Sequence, residues 1–576
     1  MKHPSYVLDA DLAATIRAWR DADPDPGCVV DLDHLVQRAR RGDDEALTEL
    51  LDAFNGSLQF GTAGLRGRMA PGPNRMNTAV VRRAAYALAH SLVTDTRICV
   101  IGYDGRHRSQ HFATESARVL TAAGWTVYLM PRALPTPLLA FAIRHLAPAA
   151  SHASTSSPSV MTADLGIMVT ASHNPPEDNG YKVYLGDGRQ IVEPLDQVIA
   201  AAMADAPPAL QIPTAEGWHV LDDGIVEDYL SAASAVVHTD TPRELTVVHT
   251  GLHGVGSAVF ASALQRAGFA SPIEVSEQEH PDPQFPTVAF PNPEEPGALD
   301  LALATARASA ADIVIAHDPD ADRCAVAVPR PDGWGMLTGD EVGALLGWWL
   351  IARGERPAGT FANSLVSDTL LGAIAADAGI PFAVTLTGFK WISRVPDLAY
   401  GYEEALGYCV DPVHVADKDG ITAGLLVAEL AAHARSTESS LIDILNNLHR
   451  RFGLHLTRQV TVRLPRREDL APAMATLLAH PPDRLAGLPV DRMEDLADGL
   501  DGLPPTPGLL LTAHPPPPAD THARVLIRPS GTEPKVKAYL QVHAAPDLDP
   551  GAARPLLENL LDQLEVEIAA LLAPGG

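Results

Sequence analysis

The chain reads as an α/β protein. It should hold three similar α/β domains with mixed or mostly parallel sheets, then a C-terminal α+β domain with an antiparallel sheet. Two observations predict this. Apolar strand-like runs alternate with helical stretches up to about residue 450, the pattern of parallel strands joined by crossover helices. Beyond it, the pattern changes to period-two strands and proline-rich loops.

Residues 1–57, rich in Asp, Arg and Leu, read as a helical leader packed on the first domain. In the domain at 58–213, strands at 98–101, 125–129 and 166–170 alternate with helices at 109–123 and 138–146. Residues 206–213 read as a linker. The domain at 214–336 opens on a strand near 245–249, followed by the glycine turn Gly251-Leu252-His253-Gly254-Val255-Gly256. That turn lacks the Gly-x-Gly-x-x-Gly spacing of a dinucleotide loop. The domain at 337–450 starts with a helix at Thr338-Gly339-Asp340-Glu341 and holds Thr387-Gly388-Phe389-Lys390 before another helix. The domain at 451–576 carries an alternating strand at 460–464, proline loops at 504–507 and 515–518, and a closing amphipathic helix at 556–572. The proline runs read as loop stiffeners.

Four stretches carry chemistry. Thr170-Ala171-Ser172-His173-Asn174-Pro175-Pro176 follows a β-rich run. It sets the Ser172 hydroxyl at a turn, with the base candidate His173 beside it and prolines stiffening the exit. Lys182 lies ten residues beyond Ser172, able to neutralise an anion. Asp318-Pro319-Asp320-Ala321-Asp322-Arg323 follows the apolar run Ile313-Val314-Ile315-Ala316. Alternating carboxylates can converge on a hard cation such as Mg²⁺. A helix-loop-helix calcium site is excluded, because its required Gly and Glu positions hold Arg323 and Pro329. Arg528-Pro529-Ser530-Gly531-Thr532 offers a guanidinium, hydroxyls and a glycine turn, the makings of a phosphate cradle. The pair Glu403-Glu404, in Gly401-Tyr402-Glu403-Glu404-Ala405-Leu406-Gly407, can accept hydrogen bonds from vicinal sugar hydroxyls. Ser172 and Asp318 both fall just past predicted strand ends, where open α/β sheets bind ligands.

In this order the motifs resemble the α-D-phosphohexomutase superfamily, from about Phe60 to the C-terminal region. Glu-Glu-Ala-Leu-Gly is most similar to its longer, phosphoglucomutase-2-like and phosphopentomutase-like branch. The resemblance implies four domains around a central cleft. It implies a mutase that interconverts sugar 1-phosphate and sugar 6-phosphate, glucose first and mannose next, through a phosphoserine and a bisphosphorylated sugar. A phosphopentomutase or a sugar-bisphosphate synthase is the alternative within the family. Outside it stand a metal-dependent phosphatase and a non-catalytic sugar-phosphate-binding protein. Ser172 would carry the phosphoryl group and, with Asp318, Asp320 and Asp322, hold one Mg²⁺. A sugar bisphosphate would prime the enzyme. Arg66, in Gly61-Thr62-Ala63-Gly64-Leu65-Arg66-Gly67, would reach the catalytic centre. Lys390 would help to stabilise charge, and His173 or Lys182 would serve as base. Arg323, Thr387, Gly388, Glu403, Glu404, Arg528, Ser530, Gly531 and Thr532 would bind substrate. Phosphoglucomutases often carry Ser where this chain has Ala405, so the preferred sugar stays open.

Composition agrees with such an enzyme. A net charge of −28 excludes a nucleic-acid binder. An anionic substrate then needs a local basic pocket, which Arg66, Lys182, Arg323, Lys390 and Arg528 could supply. Cys28, Cys99, Cys324 and Cys409 are scattered with no Cys-x-x-Cys pair, as expected for reduced thiols in the cytoplasm. The first residues show no signal-peptide pattern. The longest apolar run, near 342–352, is too short to span a membrane. A monomer or homodimer is expected.

Overall fold

The computed structural model describes residues 8–61, 64–94, 96–146, 161–354, 357–514, 521–530, 535–546 and 549–573. Contacts divide the chain into two compact units. One holds the residues up to Met336 together with Asp411–Leu426. The other holds Leu337–Val410 and the residues from Val427 onward.

The first unit opens with helices Ala10–Ala22, Pro26–Arg40 and Asp44–Ala53. Each begins after an aspartate (Asp9, Asp25 and Asp43) whose carboxylate accepts a backbone N–H of the first turn. That is where much of the leader's Asp content is used. Ile16, Leu32, Leu35 and Leu50 give these helices a small core of their own.

The first sheet has seven strands. In spatial order they are Phe60–Gly61, Gly64–Arg68, Asp178–Leu185, Leu165–Val169, Ile98–Tyr103, Thr126–Leu129 and His219–Val220. The central strands Leu165–Val169, Ile98–Tyr103 and Thr126–Leu129 are parallel. They are nearly continuous apolar runs because helices cover both faces. Asp178–Leu185 is antiparallel to Leu165–Val169. This hairpin returns the chain from the Ser172 turn alongside the strand that led into it. The segment expected to be a linker is more ordered than that. It forms a single turn at Ala209–Gln211, and Ile212 buries against Ala85 and Val119. Strand His219–Val220 pairs parallel with Thr126–Leu129, so the first sheet runs past residue 213.

The second sheet orders as Gly333–Met336, Ala325–Arg330, Ile313–Ala316, Val247–Thr250 and Ile273–Glu274. The glycine turn after Val247–Thr250 has a mechanical role. A Cβ on Gly254 would lie 2.2 Å from Cα of Pro319, and one on Gly256 would lie 2.9 Å from Cβ of Ala321. Val255 N–H donates to the Pro319 carbonyl at 2.8 Å. The turn supports the backbone of the aspartate loop.

In the second unit, a four-stranded sheet orders as Phe382–Thr385, Thr360–Ser364, Leu398–Glu403 and Gly407–Cys409. Helix Gly339–Ala352 starts with a reciprocal Thr338–Glu341 capping box. The C-terminal sheet is antiparallel, ordering as Leu454–Arg463, Lys535–Ala544, Thr521–Pro529, Leu509–Ala513, Leu488–Asp495 and Arg484–Leu485. Helix Pro550–Leu572 buries Leu557, Leu561, Leu564 and Ile568 in that sheet's core. It starts earlier than its apolar stripe suggests, because Asp549 caps it. The proline loop expected at 515–518 lies outside the described residues. Asp411–Leu426 departs from the expected 337–450 domain and packs with the first unit. Among the described residues, no helix is long and apolar enough to cross a membrane.

Gly254→Ala should cost about 3 kcal/mol, since backbone atoms must give way to the new methyl group. Urea unfolding of the two proteins should show an earlier first transition in the variant. An unchanged midpoint would mean that the aspartate loop does not lean on this turn.

Candidate active site

Strand Leu165–Val169 is wholly buried and delivers Thr170, Ala171 and Ser172 to its C-terminal end. Ser172 has φ of 52° and is 1 % exposed. A non-glycine residue in this left-handed conformation needs its surroundings to hold it there. Ser172 N–H donates to Thr170 Oγ1 at 2.8 Å, and Thr170 Oγ1 donates to Asp104 Oδ2 at 2.6 Å. Arg106, buried, donates to the carbonyls of Ser172 at 2.6 Å, Pro175 at 2.8 Å and Asp178 at 3.3 Å, and also to that of Asn174. The ring of Phe285 lies 4.8 Å from its guanidinium carbon. One cation thus gathers the carbonyls of the whole serine turn. Burial lowers the Arg106 pKa and raises that of Asp104. Ser172 Oγ donates to Asp318 Oδ2 at 2.6 Å and lies 3.3 Å from His173 Nδ1.

Asp318, Asp320 and Asp322 follow strand Ile313–Ala316, and all are 0 % exposed. One carboxylate oxygen of each lies within 4.8 Å of the other two. The positive φ of Ala321, 53°, bends the loop so that alternate side chains converge. Lys182 Nζ donates to Asp320 Oδ2 and Asp322 Oδ2, both at 2.7 Å. Lys418 Nζ donates to Asp322 Oδ2 at 2.9 Å, and Thr136 Oγ1 donates to Asp320 Oδ2 at 2.5 Å. Arg323 N–H donates to Asp318 Oδ1 at 3.0 Å, and its Nε stands 3.8 Å from Asp322 Oδ1.

The charges separate the three acids. Burial, then repulsion from Asp320 and Asp322, pushes Asp318 up to about 7. Burial also pushes Asp320 and Asp322 upward, but Lys182 outweighs it and holds both below the ordinary carboxylate range, with Lys418 helping at Asp322. Burial opposes the Lys182 charge, but Asp320 and Asp322 overcome that and hold its pKa above the ordinary value. Lys182 is thus ion-paired with both carboxylates. His173 is different. Burial, then Arg323 and Arg66, pushes its pKa well down and leaves a neutral imidazole. Arg66, on strand Gly64–Arg68, reaches Asn174 Oδ1 of the serine turn at 3.4 Å.

Asp320 Oδ1 and Asp322 Oδ1 are buried and have no hydrogen-bond partner among the described residues. Orphaned carboxylate oxygens beside a third carboxylate suit a hard divalent cation.

The expected residues Ser172, His173, Lys182, Arg66, Asp318, Asp320, Asp322 and Arg323 thus meet in the first unit. Sequence reasoning missed Asp104, Arg106, Thr136 and Lys418. Asp104 and Arg106 follow the C-terminal end of strand Ile98–Tyr103, and Thr136 lies beyond strand Thr126–Leu129. The rule placing ligands beyond strand ends could have found those three. Nothing local marks Lys418.

The remaining expected residues belong to the second unit. Glu404 Oε2 accepts from Ser364 Oγ at 3.0 Å and Ser367 Oγ at 3.4 Å. Glu403 ends strand Leu398–Glu403. A Cβ on Gly339 would come within 1.9 Å of the Glu404 carbonyl, so only glycine lets the Glu-Glu turn sit on the start of helix Gly339–Ala352. Gly388, with φ of 104°, begins the short helix Phe389–Ile392, where Lys390 is buried with its Nζ 5.8 Å from the Trp391 ring centre. Arg528 Nη1 donates to Thr387 Oγ1, bringing the ends of two distant segments together. Ser530 N–H donates to the Lys535 carbonyl at 2.8 Å. Gly531 and Thr532 lie outside the described residues.

The phosphoglucomutase/phosphomannomutase α/β/α domain models match this chain in order: domain I at 57–208, domain II at 227–333 and domain III at 338–452. A probable phosphomannomutase of Haemophilus influenzae is 40 % identical over 482 residues, covering 81 % of this chain and 92 % of that protein. A human phosphopentomutase is 33 % identical, with 90 % of each chain covered. Among solved structures, a putative phosphomannomutase from Thermus thermophilus aligns with a TM-score of 0.67 at 25 % identity, covering 88 % of this chain and 99 % of that one. The chain therefore belongs to the phosphoglucomutase/phosphomannomutase family, as an enzyme that transfers phosphate within its substrate.

Proposed function

We propose that this enzyme interconverts hexose 1-phosphate and hexose 6-phosphate, glucose before mannose, through a phosphorylated Ser172 and a sugar bisphosphate. The observation that carries this reading is the Ser172 hydroxyl, 2.6 Å from Asp318 within a buried triple-carboxylate cluster. Phosphopentomutase activity is the second reading. The high coverage of the human phosphopentomutase supports it, as does Ala405 in the turn that would meet the sugar.

Asp318, Asp320 and Asp322 would hold Mg²⁺, which when bound neutralises charge on the phosphoryl group in transfer. The chain's residues do the rest. The Arg106 clamp and the Thr170–Asp104 pair keep the Ser172 oxygen fixed at the cluster. A sugar hydroxyl attacks phosphorus, the bond from phosphorus to Ser172 Oγ breaks, and His173, whose Nδ1 lies 3.3 Å from Ser172 Oγ, accepts the hydroxyl proton. Arg66, Lys182 and Arg323 supply positive charge around the transfer. The bisphosphate then returns its other phosphate to Ser172, so a small amount of sugar bisphosphate primes the cycle. Glu403 and Glu404 accept from sugar hydroxyls. Thr387, Gly388, Arg528 and Ser530, with Gly531 and Thr532, bind the phosphate that is not being transferred, and Lys390 helps to stabilise charge.

Three measurements test this. Purified protein incubated with glucose 1,6-bisphosphate should gain one phosphate by intact mass, mapped to the peptide containing Ser172. Ser172→Ala should abolish both the label and mutase turnover while remaining folded. A label on another serine overturns the assignment. A coupled assay across glucose, mannose and ribose 1-phosphates should give the largest kcat/KM for glucose, and a ribose optimum would establish the second reading.

Chelator should stop turnover, and added Mg²⁺ should restore it. Asp320→Asn should lower kcat by about a hundredfold or more, the range seen when one electrostatic group of a catalytic site is removed. Full activity in excess chelator would refute the metal reading.

Arg528→Ala should raise KM by about 10- to 100-fold, since a charge-assisted hydrogen bond contributes about 1.5–3 kcal/mol. Arg528→Lys should recover part of this, because a point charge cannot reproduce the planar fork. An unchanged KM places the phosphate contact elsewhere.

A further inference from the structure

Two histidines and a glutamate lie behind the aspartate loop and take no part in the steps above. His249 is on strand Val247–Thr250. His317 is the residue between strand Ile313–Ala316 and Asp318. Both are 0 % exposed. The parallel register sets Thr250 beside Ala316, so the two imidazoles meet at the end of the ladder. His249 Nδ1 is 2.8 Å from Glu274 Oε2, His249 Nε2 is 2.8 Å from His317 Nδ1, and His317 Nε2 is 2.9 Å from the Gly420 carbonyl.

A carbonyl only accepts, so His317 Nε2 carries a hydrogen and donates to Gly420. His317 Nδ1 faces His249 Nε2, and one hydrogen between them closes that bond. His249 Nδ1 faces Glu274 in turn. The bonds therefore run unbroken from Glu274 through both rings to Gly420. Glu274 anchors the far end.

Gly420 lies two residues beyond Lys418, whose ammonium donates to Asp322. At the same point a Cβ on Gly420 would come within 2.3 Å of the Arg323 carbonyl. The Asp411–Leu426 segment thus meets the aspartate loop at close quarters. Gln190 holds Asp417 at 2.7 Å and Tyr229 holds Asp419 at 2.9 Å, and the His317 bond ties the backbone at Gly420 directly behind the aspartate loop.

We propose that His317 is a positioning residue. Its donation to Gly420, oriented by His249, holds Lys418 on Asp322 and so sets how tightly the three aspartates bind a divalent cation. The inference rests on reading that cluster as the cation site. Lys418 and the cation compete for one carboxylate, because like charges at short range oppose each other. Loosening the tie should therefore tighten cation binding while slowing phosphoryl transfer. General damage to the fold would do the reverse to the cation.

The test compares His317→Asn with His317→Gln. The glutamine amide reaches the Nε2 position and can still donate to Gly420, but the shorter asparagine cannot. Mg²⁺ affinity is measured by calorimetry in the Ser172→Ala background, so that phosphorylation does not vary, and turnover is measured with Ser172 intact. His317→Asn and Lys418→Met should each bind Mg²⁺ about threefold or more tighter, with reduced kcat and little change in KM. His317→Gln should stay close to the parent. Equal affinities for Asn and Gln, or weaker binding by Asn, would overturn the proposal. If His317→Asn does not fold, His249→Leu against His249→Gln makes the same comparison one bond upstream. Intact cation binding without sugar-phosphate turnover would sink the mutase reading alone. Intact turnover with unchanged cation affinity in His317→Asn would sink this inference alone.

Discussion

Three mutually repelling carboxylates buried in one loop are the constraint on which the first unit depends. Asp318, Asp320 and Asp322 are all 0 % exposed, and taking several like charges out of water is costly unless countercharge is held against them. The countercharge is gathered from separate parts of the fold. Lys182 comes from the antiparallel return strand Asp178–Leu185, Lys418 from the Asp411–Leu426 segment, and Arg323 from the loop itself. This accounts for two departures from a simple repeated α/β plan. One is an antiparallel strand beside parallel ones. The other is a stretch of chain that leaves its own sheet to pack with another unit. Both deliver an ammonium to a carboxylate that needs one.

The serine turn solves a different problem. Ser172 is held in a left-handed conformation, and backbone strain of this kind persists only when the surroundings over-determine it. Arg106 does so by donating to carbonyls along the turn, and Asp104 does so through Thr170. Arg106 bonds the backbone of the turn, and Asp104 bonds Thr170, not the Ser172 hydroxyl. Their effect is to present the Ser172 oxygen to Asp318 at hydrogen-bond distance, which is positioning rather than chemistry.

The second unit also uses buried acids as fasteners. Asp368 accepts from His455 and Gln541 of the C-terminal sheet, and its own N–H donates to Asp340. Burial, then Asp368, raises Asp340 to about 8, whereas His455 overcomes burial and keeps Asp368 low. The two neighbouring acids are thus shifted in opposite directions. The shared apolar cluster of Leu365, Val366, Leu510, Leu526 and Tyr539 completes this joint. The joint links the sheet bearing the Glu403–Glu404 turn to the sheet bearing Arg528.

The sequence alone determined the layered α/β plan, the antiparallel final sheet and the two loops that meet at the candidate site. Those features are local. Strand periodicity, the alternation of three aspartates and the turn around Ser172 are each written within a few consecutive residues. The tertiary structure decided what no local pattern encodes. It showed that Lys182 is an ion-paired ammonium, that Lys418 belongs to the aspartate cluster, and that the Gly254 turn supports a neighbouring loop. It also showed that Arg106 holds the serine turn from a strand end far away in sequence. In each case the deciding quantity is the distance between segments separated along the chain. Burial then turns that distance into charge state, because a carboxylate or an amine out of water takes its protonation from its nearest neighbours.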